Sequence, residues 1–150
     1  MHLFKMIITK YLSLILIIII FGCSNNNSNN NTIPTTRKTV NAKPVAAYVI
    51  PMGDPKLDRK FGTEIYETPE TFKFKLVLYN DGTVVNDTLE FPNFGIAPVI
   101  QVKPGTEKLS CIIGFVDNKN VFREYKMLSE KNGQLLLTTL KRYYTDAPQQ

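Results

Sequence analysis

An apolar run near the amino terminus places the strongest constraint on what this chain can fold into. Residues 11–21 are almost entirely apolar, they follow Lys5 and Lys10, and no acidic residue precedes Asp54. A basic stretch followed by a short apolar run is the pattern of a secretory signal peptide. A membrane-spanning helix needs about 20 apolar residues, and this run is shorter. We therefore expect residues 1–22 to be a signal peptide that is removed on export.

Gly22 and Cys23 follow the apolar run directly. The residues Ile20-Phe21-Gly22-Cys23 resemble the bacterial lipobox, in which an aliphatic residue precedes a small residue and an acylated cysteine. The resemblance implies diacylglycerol on the Cys23 thiol and an N-acyl chain such as palmitate on its new amino group. Each buried methylene contributes ~0.8 kcal/mol, so several chains anchor a protein stably. An ordinary secretory signal with an incidental cysteine is the alternative.

The residues after Cys23 indicate where in the cell the protein is anchored. Ser24 stands where an aspartate would, in many Gram-negative bacteria, favour retention at the inner membrane. By that resemblance we expect an outer-membrane lipoprotein facing the periplasm, and a Gram-positive cell-surface lipoprotein stays open. The following tract is rich in Asn, Ser and Thr and too poor in apolar side chains to offset its ordering entropy. Residues 23–44 are predicted to form the lipidated cysteine and a disordered tether, and residues 45–150 the folded domain.

The charge balance excludes several classes of function. The net charge is +5, but from Val40 onward 14 Lys and Arg face 13 Asp and Glu. Nucleic-acid binding needs clustered positive charge, so we expect no nucleic-acid partner. The only histidine, His2, lies in the predicted signal peptide. Without imidazole, and without a recognisable nucleotide or metal motif, we expect no bound metal, no other cofactor, no catalytic residues and no enzymatic activity.

Cys111 is the second cysteine of the chain. A lipidated Cys23 cannot pair with it, so Cys111 is expected to be a free thiol. It lies in the apolar stretch 109–116, which favours a small buried hydrophobe over a reactive nucleophile.

Alternating apolar and polar residues predict an all-β fold. Phe72, Phe74, Leu76 and Leu78 alternate with Lys73, Lys75, Val77 and Tyr79, as in a strand with one buried face. Asn80-Asp81-Gly82 then predicts a tight hairpin with a partner strand over 83–91. Lys103-Pro104-Gly105-Thr106 suits a type II turn. Further strands are expected at 45–50, 99–102, 109–116, 121–128 and 134–141. The total is six to seven strands in a small antiparallel sandwich of the transthyretin or immunoglobulin type, with 109–116 as the central strand of a meander.

A long connection is expected between residues 51 and 63. Long connections in compact domains are often functional, and mixed charges beside exposed apolar groups suit a protein partner. The candidate partner-binding residues there are Asp54, Lys56, Asp58, Arg59 and Lys60, and a merely variable surface loop is the alternative.

Two other groups of residues are candidates for binding a cation, a ligand or lipid headgroups. Glu64, Glu67 and Glu70 are spaced by three, as for a cation site on a helix, but Pro69 argues for a solvated loop. Tyr143 and Tyr144 follow two cations and could stack a ligand or touch lipid headgroups, although packing at the edge of the last strand is the commoner role.

Residues 102–125 resemble the TssJ lipoproteins of type VI secretion systems. In that family a Pro-Gly-Thr turn leads into an apolar strand, an aspartate-containing turn and a strand with an aromatic residue next to arginine. The corresponding residues are Pro104-Gly105-Thr106, 109–115, Asp117 and Phe122-Arg123. The resemblance implies a two-sheet sandwich on an outer-membrane lipid anchor. It also implies docking of an inner-membrane secretion component by the loop after the first strand.

The leading hypothesis is a non-enzymatic docking component of an envelope-spanning complex, anchored by lipid. A surface or periplasmic ligand-binding lipoprotein is the alternative, with Tyr66, Tyr143 and Tyr144 as stacking platforms.

Overall fold

The computed structural model describes residues 35–54, 56–93 and 95–143. Within these ranges no helix is long and apolar enough to cross a membrane. The described chain forms eight strands: β1 (Ala46–Pro51), β2 (Lys60–Glu67), β3 (Lys73–Asn80), β4 (Thr83–Glu90), β5 (Val99–Pro104), β6 (Ser110–Val116), β7 (Phe122–Lys131) and β8 (Gln134–Thr139).

The strands form two four-stranded antiparallel sheets, so the predicted all-β sandwich is confirmed. The first sheet has the order β1-β2-β3-β4 and the second the order β5-β6-β7-β8. Each sheet is therefore a meander of consecutive strands, whereas the chain of an immunoglobulin sandwich crosses between its two sheets several times. The connectivity thus differs from the expected immunoglobulin type, and the strand count is eight rather than six to seven.

The additional strand is β2, most of which lies where a connection was expected. Its inward face consists of Phe61, Thr63 and Ile65, all fully buried. Thr63 is polar although it faces the core, and Gly62 beside it has no side chain. The alternation of apolar and polar residues that indicates a strand is therefore absent at these positions. A Cβ at Gly62 would overlap the Tyr48 carbonyl group, and its φ of 140° is one that other residues rarely adopt. Close approach of β1 to β2 therefore requires glycine here.

The second sheet follows the expected pattern closely. β6 lies between β5 and β7, as predicted for the central strand, and Cys111, Ile113 and Phe115 face the core. The register of β6 and β7 shifts between Ile113 and Gly114, a β-bulge that leaves Tyr125 packed on the core.

Two hairpins close with the turns that their sequences specify. Asp81 and Gly82 have φ of 49° and 83°, and Asn132 and Gly133 have φ of 53° and 81°. Positive φ at both central residues is the type I′ geometry, which matches the twist of the flanking strands. The predicted Asn-Asp-Gly hairpin is confirmed.

The predicted type II turn at Pro104-Gly105 is wrong. Pro104 still pairs with Cys111 at the end of β5, and Gly105 does not have positive φ. Gly105 instead allows close packing, because a Cβ there would overlap the Ser110 side chain. Ser110 Oγ in turn accepts a hydrogen bond from Glu107 N (3.0 Å) and donates one to Glu107 O (2.8 Å), which ties the connection to the start of β6.

An aromatic cluster joins the two sheets. Phe91, just after β4, has ring-centroid distances of 5.9 Å to Phe74, 5.6 Å to Phe115 and 4.8 Å to Tyr125. Phe74 belongs to the first sheet and the other two to the second, so Phe91 lies between the sheets and is 2% exposed. The packing is completed by β1 lying beside β5.

The sandwich has two distinct ends. The loop end carries the connections at 52–59, 81–82, 105–109 and 132–133, and Asn80 Nδ2 donates to Gly133 O there (2.9 Å). The opposite end, called the entry end because the chain enters β1 there, carries the connections at 68–72, 91–98 and 117–121.

Replacing Phe91 with alanine should destabilise the domain by about 3–5 kcal/mol, because the cavity would lie where both sheets meet. Urea denaturation followed by circular dichroism measures the change. Val84→Ala is the matched control, since Val84 is 55% exposed and its truncation should stay within about 0.5 kcal/mol. Equal effects of the two substitutions would contradict the assigned role of Phe91.

Candidate functional site

The connection between β1 and β2 is an ordered loop at the loop end of the sandwich. Met52 N donates to Arg59 O (2.8 Å), which closes the base of the loop. Leu57 N donates to Asp54 O (3.0 Å), and Lys56 N donates to Asp54 Oδ1 (3.0 Å), as in an Asx turn. The expected connection 51–63 is thus shorter than predicted, because Lys60 already begins β2.

Arg59 ties this loop to the neighbouring hairpin. Its Nε donates to Asp81 Oδ1 in an ion pair, and Asp81 N donates to Lys60 O (2.9 Å). The hydrogen bond from Arg59 holds the pKa of the Asp81 carboxyl below its ordinary value, and the same bond raises the pKa of the Arg59 guanidinium. The turn at 81–82 therefore acts as a support for the loop.

The outer part of the loop is exposed and lines a shallow depression. Lys60 Nζ pairs with Asp58 Oδ1 at 2.8 Å, and Leu57 is 52% exposed. A depression of about 340 Å³ is bordered by the end of β1 and by Lys56, Leu57 and Asp58. An exposed leucine between charged groups, held on a fixed backbone, is a surface suited to a protein partner.

The structure brings the five candidate partner-binding residues together at one end of the molecule. Lys56 and Asp54 form no ion pair with the described residues, while Asp58, Arg59 and Lys60 are engaged in local ones. The candidates without a local ion pair are therefore Asp54 and Lys56, and the unpredicted Leu57 lies beside them. Their role in binding stays a prediction.

The glutamates at spacing three do not form a site. Glu64 and Glu67 belong to β2, so the expected solvated loop is wrong for them, and Glu70 lies in the following connection. Each has a separate structural contact: Glu64 with tyrosine hydroxyls, Glu67 with Arg37 and Glu70 with Lys73. No cluster of potential metal ligands occurs among the described residues.

Glu64 organises the outer face of the first sheet. Tyr66 OH and Tyr79 OH donate to its Oε2 at 2.7 and 2.9 Å. The bond to Glu64 and burial raise the pKa of Tyr66 to about 12, and burial with the same acceptor raises the pKa of Tyr79. Both hydroxyls therefore stay protonated and hold the carboxylate in place.

Cys111 is a buried free thiol, as predicted. Burial raises its pKa to about 12, so the thiolate needed for nucleophilic attack is not formed at neutral pH. Tyr143, one of the expected stacking platforms, packs on Phe115 at a centroid distance of 5.2 Å and donates to Glu124 O (2.8 Å). Tyr144 lies outside the described residues.

Arg37 is a structural residue that the sequence did not identify. Its guanidinium donates to the carbonyls of Thr68 (2.6 Å), Thr71 (2.6 Å) and Glu70, pairs with Glu67 at 3.3 Å and lies 4.6 Å from the Phe74 ring centroid. Its backbone N also donates to Pro69 O (2.7 Å), and Thr36 bridges to Glu70. Residues 35–37, expected to belong to the disordered tether, instead contact the entry end of the domain.

Comparisons with known proteins give no family for the chain. No family model matches it, and no curated protein or solved structure matches it either. The resemblance of residues 102–125 to the TssJ lipoproteins stays a prediction.

The Arg59–Asp81 ion pair should give a pH-dependent contribution to stability. Because the folded pKa of Asp81 is lowered, the contribution is complete above the ordinary value of 3.8 and is lost as pH falls through the folded value. A double-mutant cycle with Arg59→Gln and Asp81→Asn, measured by urea denaturation at pH 7 and at about pH 2, should show weaker coupling at the lower pH. Coupling of the same size at both pH values would contradict this assignment.

Arg37→Ala should release the segment before β1 and lower the free energy of unfolding by about 2 kcal/mol, since the bonds it loses involve a charged donor. Hydrogen exchange at the amides of Arg37 and Thr71, which bond across this junction, should accelerate. Lys38→Ala is the control, because Lys38 is exposed. Unchanged exchange in Arg37→Ala would show that the side chain does not fix this segment.

Proposed function

We propose that this protein is a lipoprotein of the bacterial cell envelope, anchored through acyl chains on Cys23, whose β-sandwich docks a protein partner without catalysing a reaction. We further propose an outer-membrane anchor facing the periplasm and an envelope-spanning complex, such as a type VI secretion system, as the assembly. The partner would then be an inner-membrane component of that complex.

The observation that carries the proposal is Gly22-Cys23 directly after a short apolar run with a basic start. Acylation of Cys23 would hold the domain at a membrane, because two or three acyl chains bind lipid far more strongly than one. The polar tract after Cys23 would provide the separation between bilayer and domain.

The geometry of the domain supports a docking role for the β1–β2 loop. Arg37 holds the residues that precede β1 at the entry end, whereas the loop lies at the opposite end. Strand β2 has eight residues between these ends, which corresponds to about 23 Å. A partner bound at the loop would therefore lie at the end of the domain opposite residues 35–37.

The docking surface can be altered without disturbing the fold. Lys56→Glu combined with Leu57→Asp changes two exposed side chains and leaves the Arg59 and Asp58 ion pairs intact. Lys119→Glu combined with Val121→Asp is the matched control at the entry end, where both residues are also exposed. Cys23→Ala removes the proposed acylation site.

These variants should separate anchoring from docking in a crosslinked pull-down from envelope membranes. We expect the native protein to incorporate labelled palmitate and to recover an inner-membrane protein. The loop variant should keep the label and lose the partner, the control should keep both, and Cys23→Ala should lose the label. Absence of label from the native protein would refute the anchor, and equal recovery by the loop variant and the control would refute the docking site.

A further inference from the structure

The sandwich is closed on one side and open on the other. On the closed side, β1 lies beside β5. On the other side the edge strands are β4 and β8, and a cleft of about 480 Å³ lies between their sheets. The cleft is lined by residues from β3, β4, β7 and β8, among them Leu78, Val85, Asp87, Leu128, Leu135 and Leu137.

The inner face at this cleft is apolar and incompletely covered. Val85 pairs with the buried Leu78 and so faces inward, yet it is 44% exposed. Leu135 and Leu137 of β8 are half-buried on the same inner side, since Leu137 pairs with the fully buried Leu128. One more strand alongside would cover these side chains.

Strand β8 has a free edge without the usual protection. Exposed edges are commonly blunted by proline, lysine or inward-pointing charge, because their unpaired backbone groups can bind another strand. Strand β1 ends in Pro51, and β5 contains Lys103 and Pro104. The sequence of β8, Gln-Leu-Leu-Leu-Thr-Thr, has no proline and no charge, and no described strand pairs with its outer edge.

A single carboxylate faces the cleft. Asp87 pairs with the buried Leu76, so its side chain lies on the inward face of β4, and it is the one ionisable residue among those lining the cleft. Its Oδ1 accepts a hydrogen bond from the Thr88 amide (2.7 Å), and no cationic side chain among the described residues forms an ion pair with it. An occupant with a positive charge would complement it.

We propose that this cleft binds an extended segment of a partner protein, which adds a strand to β8 and directs alternate apolar side chains and one lysine or arginine inward. Strand addition supplies main-chain hydrogen bonds, and the inward side chains, at every second residue, supply specificity. The basic side chain pairs with Asp87, and the apolar ones cover Val85 and Leu137. This site is separate from the β1–β2 loop and goes beyond the proposed docking function.

A second copy of the chain fits the site less well. Neither β4 nor β8 contains lysine or arginine. Pairing of β8 with another β8, or with another β4, would therefore bring no cation to Asp87, and pairing through two β4 strands would add only negative charge. The lone carboxylate thus favours a different, basic strand.

The test uses labelled ten-residue peptides and the full-length protein purified in detergent, with fluorescence anisotropy as the readout. In the first peptide threonine alternates with valine and one central valine is replaced by lysine; in the second, that lysine is glutamate. We expect the lysine peptide to bind at least tenfold more tightly. Asp87→Asn should abolish this preference, and Asp87→Lys should reverse it. Asn86→Lys, on the opposite face of β4, should leave it unchanged.

Backbone pairing is tested by N-methylation of alternate residues of the lysine peptide. Because a strand pairs through every second residue, methylation in one phase should abolish binding and methylation in the other should not. Binding of neither peptide at 1 mM, equal binding of both, or tolerance of both methylation phases would overturn the proposal. If the protein without peptide self-associates and Leu136→Lys abolishes this self-association, the proposal would also be overturned, because the occupant would then be a second copy of the chain. If the peptide experiments overturn the cleft site but the envelope pull-down still recovers a partner through the β1–β2 loop, the proposed docking function remains supported.

Discussion

Face-to-face packing of two separate meanders is the constraint on which the rest of the structure depends. Each sheet is built from consecutive strands, so no strand crosses between them and their ladders share no hydrogen bond. What joins the sheets is buried apolar contact around Phe91, with polar contacts from Asn80 to Gly133 and from Tyr125 to Glu90. Since buried apolar area is the main source of stability in such a domain, the aromatic cluster and the aliphatic core around it hold the two sheets together.

Those parts of the fold that depend on local chemistry could be predicted from the sequence. The Asn-Asp-Gly turn was predictable because its central residues readily adopt positive φ. Strands β3 and β6 were predictable because alternate residues in each face the core. Strand β2 was missed because its buried face includes Thr63 and its other face includes Gly62, so the apolar period disappears. Gly105 was misread for a similar reason: its role is close packing against Ser110, which no local pattern records.

The candidate surfaces were predictable to different degrees. The charged loop could be found because charges beside Leu57 between two strands form a pattern in sequence order. Arg37 could not, since its carbonyl acceptors at 68, 70 and 71 lie more than 30 residues away and become acceptors only when the β2–β3 connection is folded. The cleft is also invisible in sequence, because it arises from the separation of β4 and β8, which are distant in the chain.

The closed and open sides of the sandwich differ in whether their edge strands contact each other. Where β1 meets β5, Pro51 and Pro104 end the strands, and the contact between the strands contributes to the core. On the other side, seven of the eight residues of β4 are exposed and only Leu89 is buried, so changes there remove little buried area. The stability of the domain therefore rests on the centre and the closed side. The open side and the exposed residues of the β1–β2 loop are suited to recognition because little buried area depends on them, which is the general condition for placing a binding surface on a small sandwich.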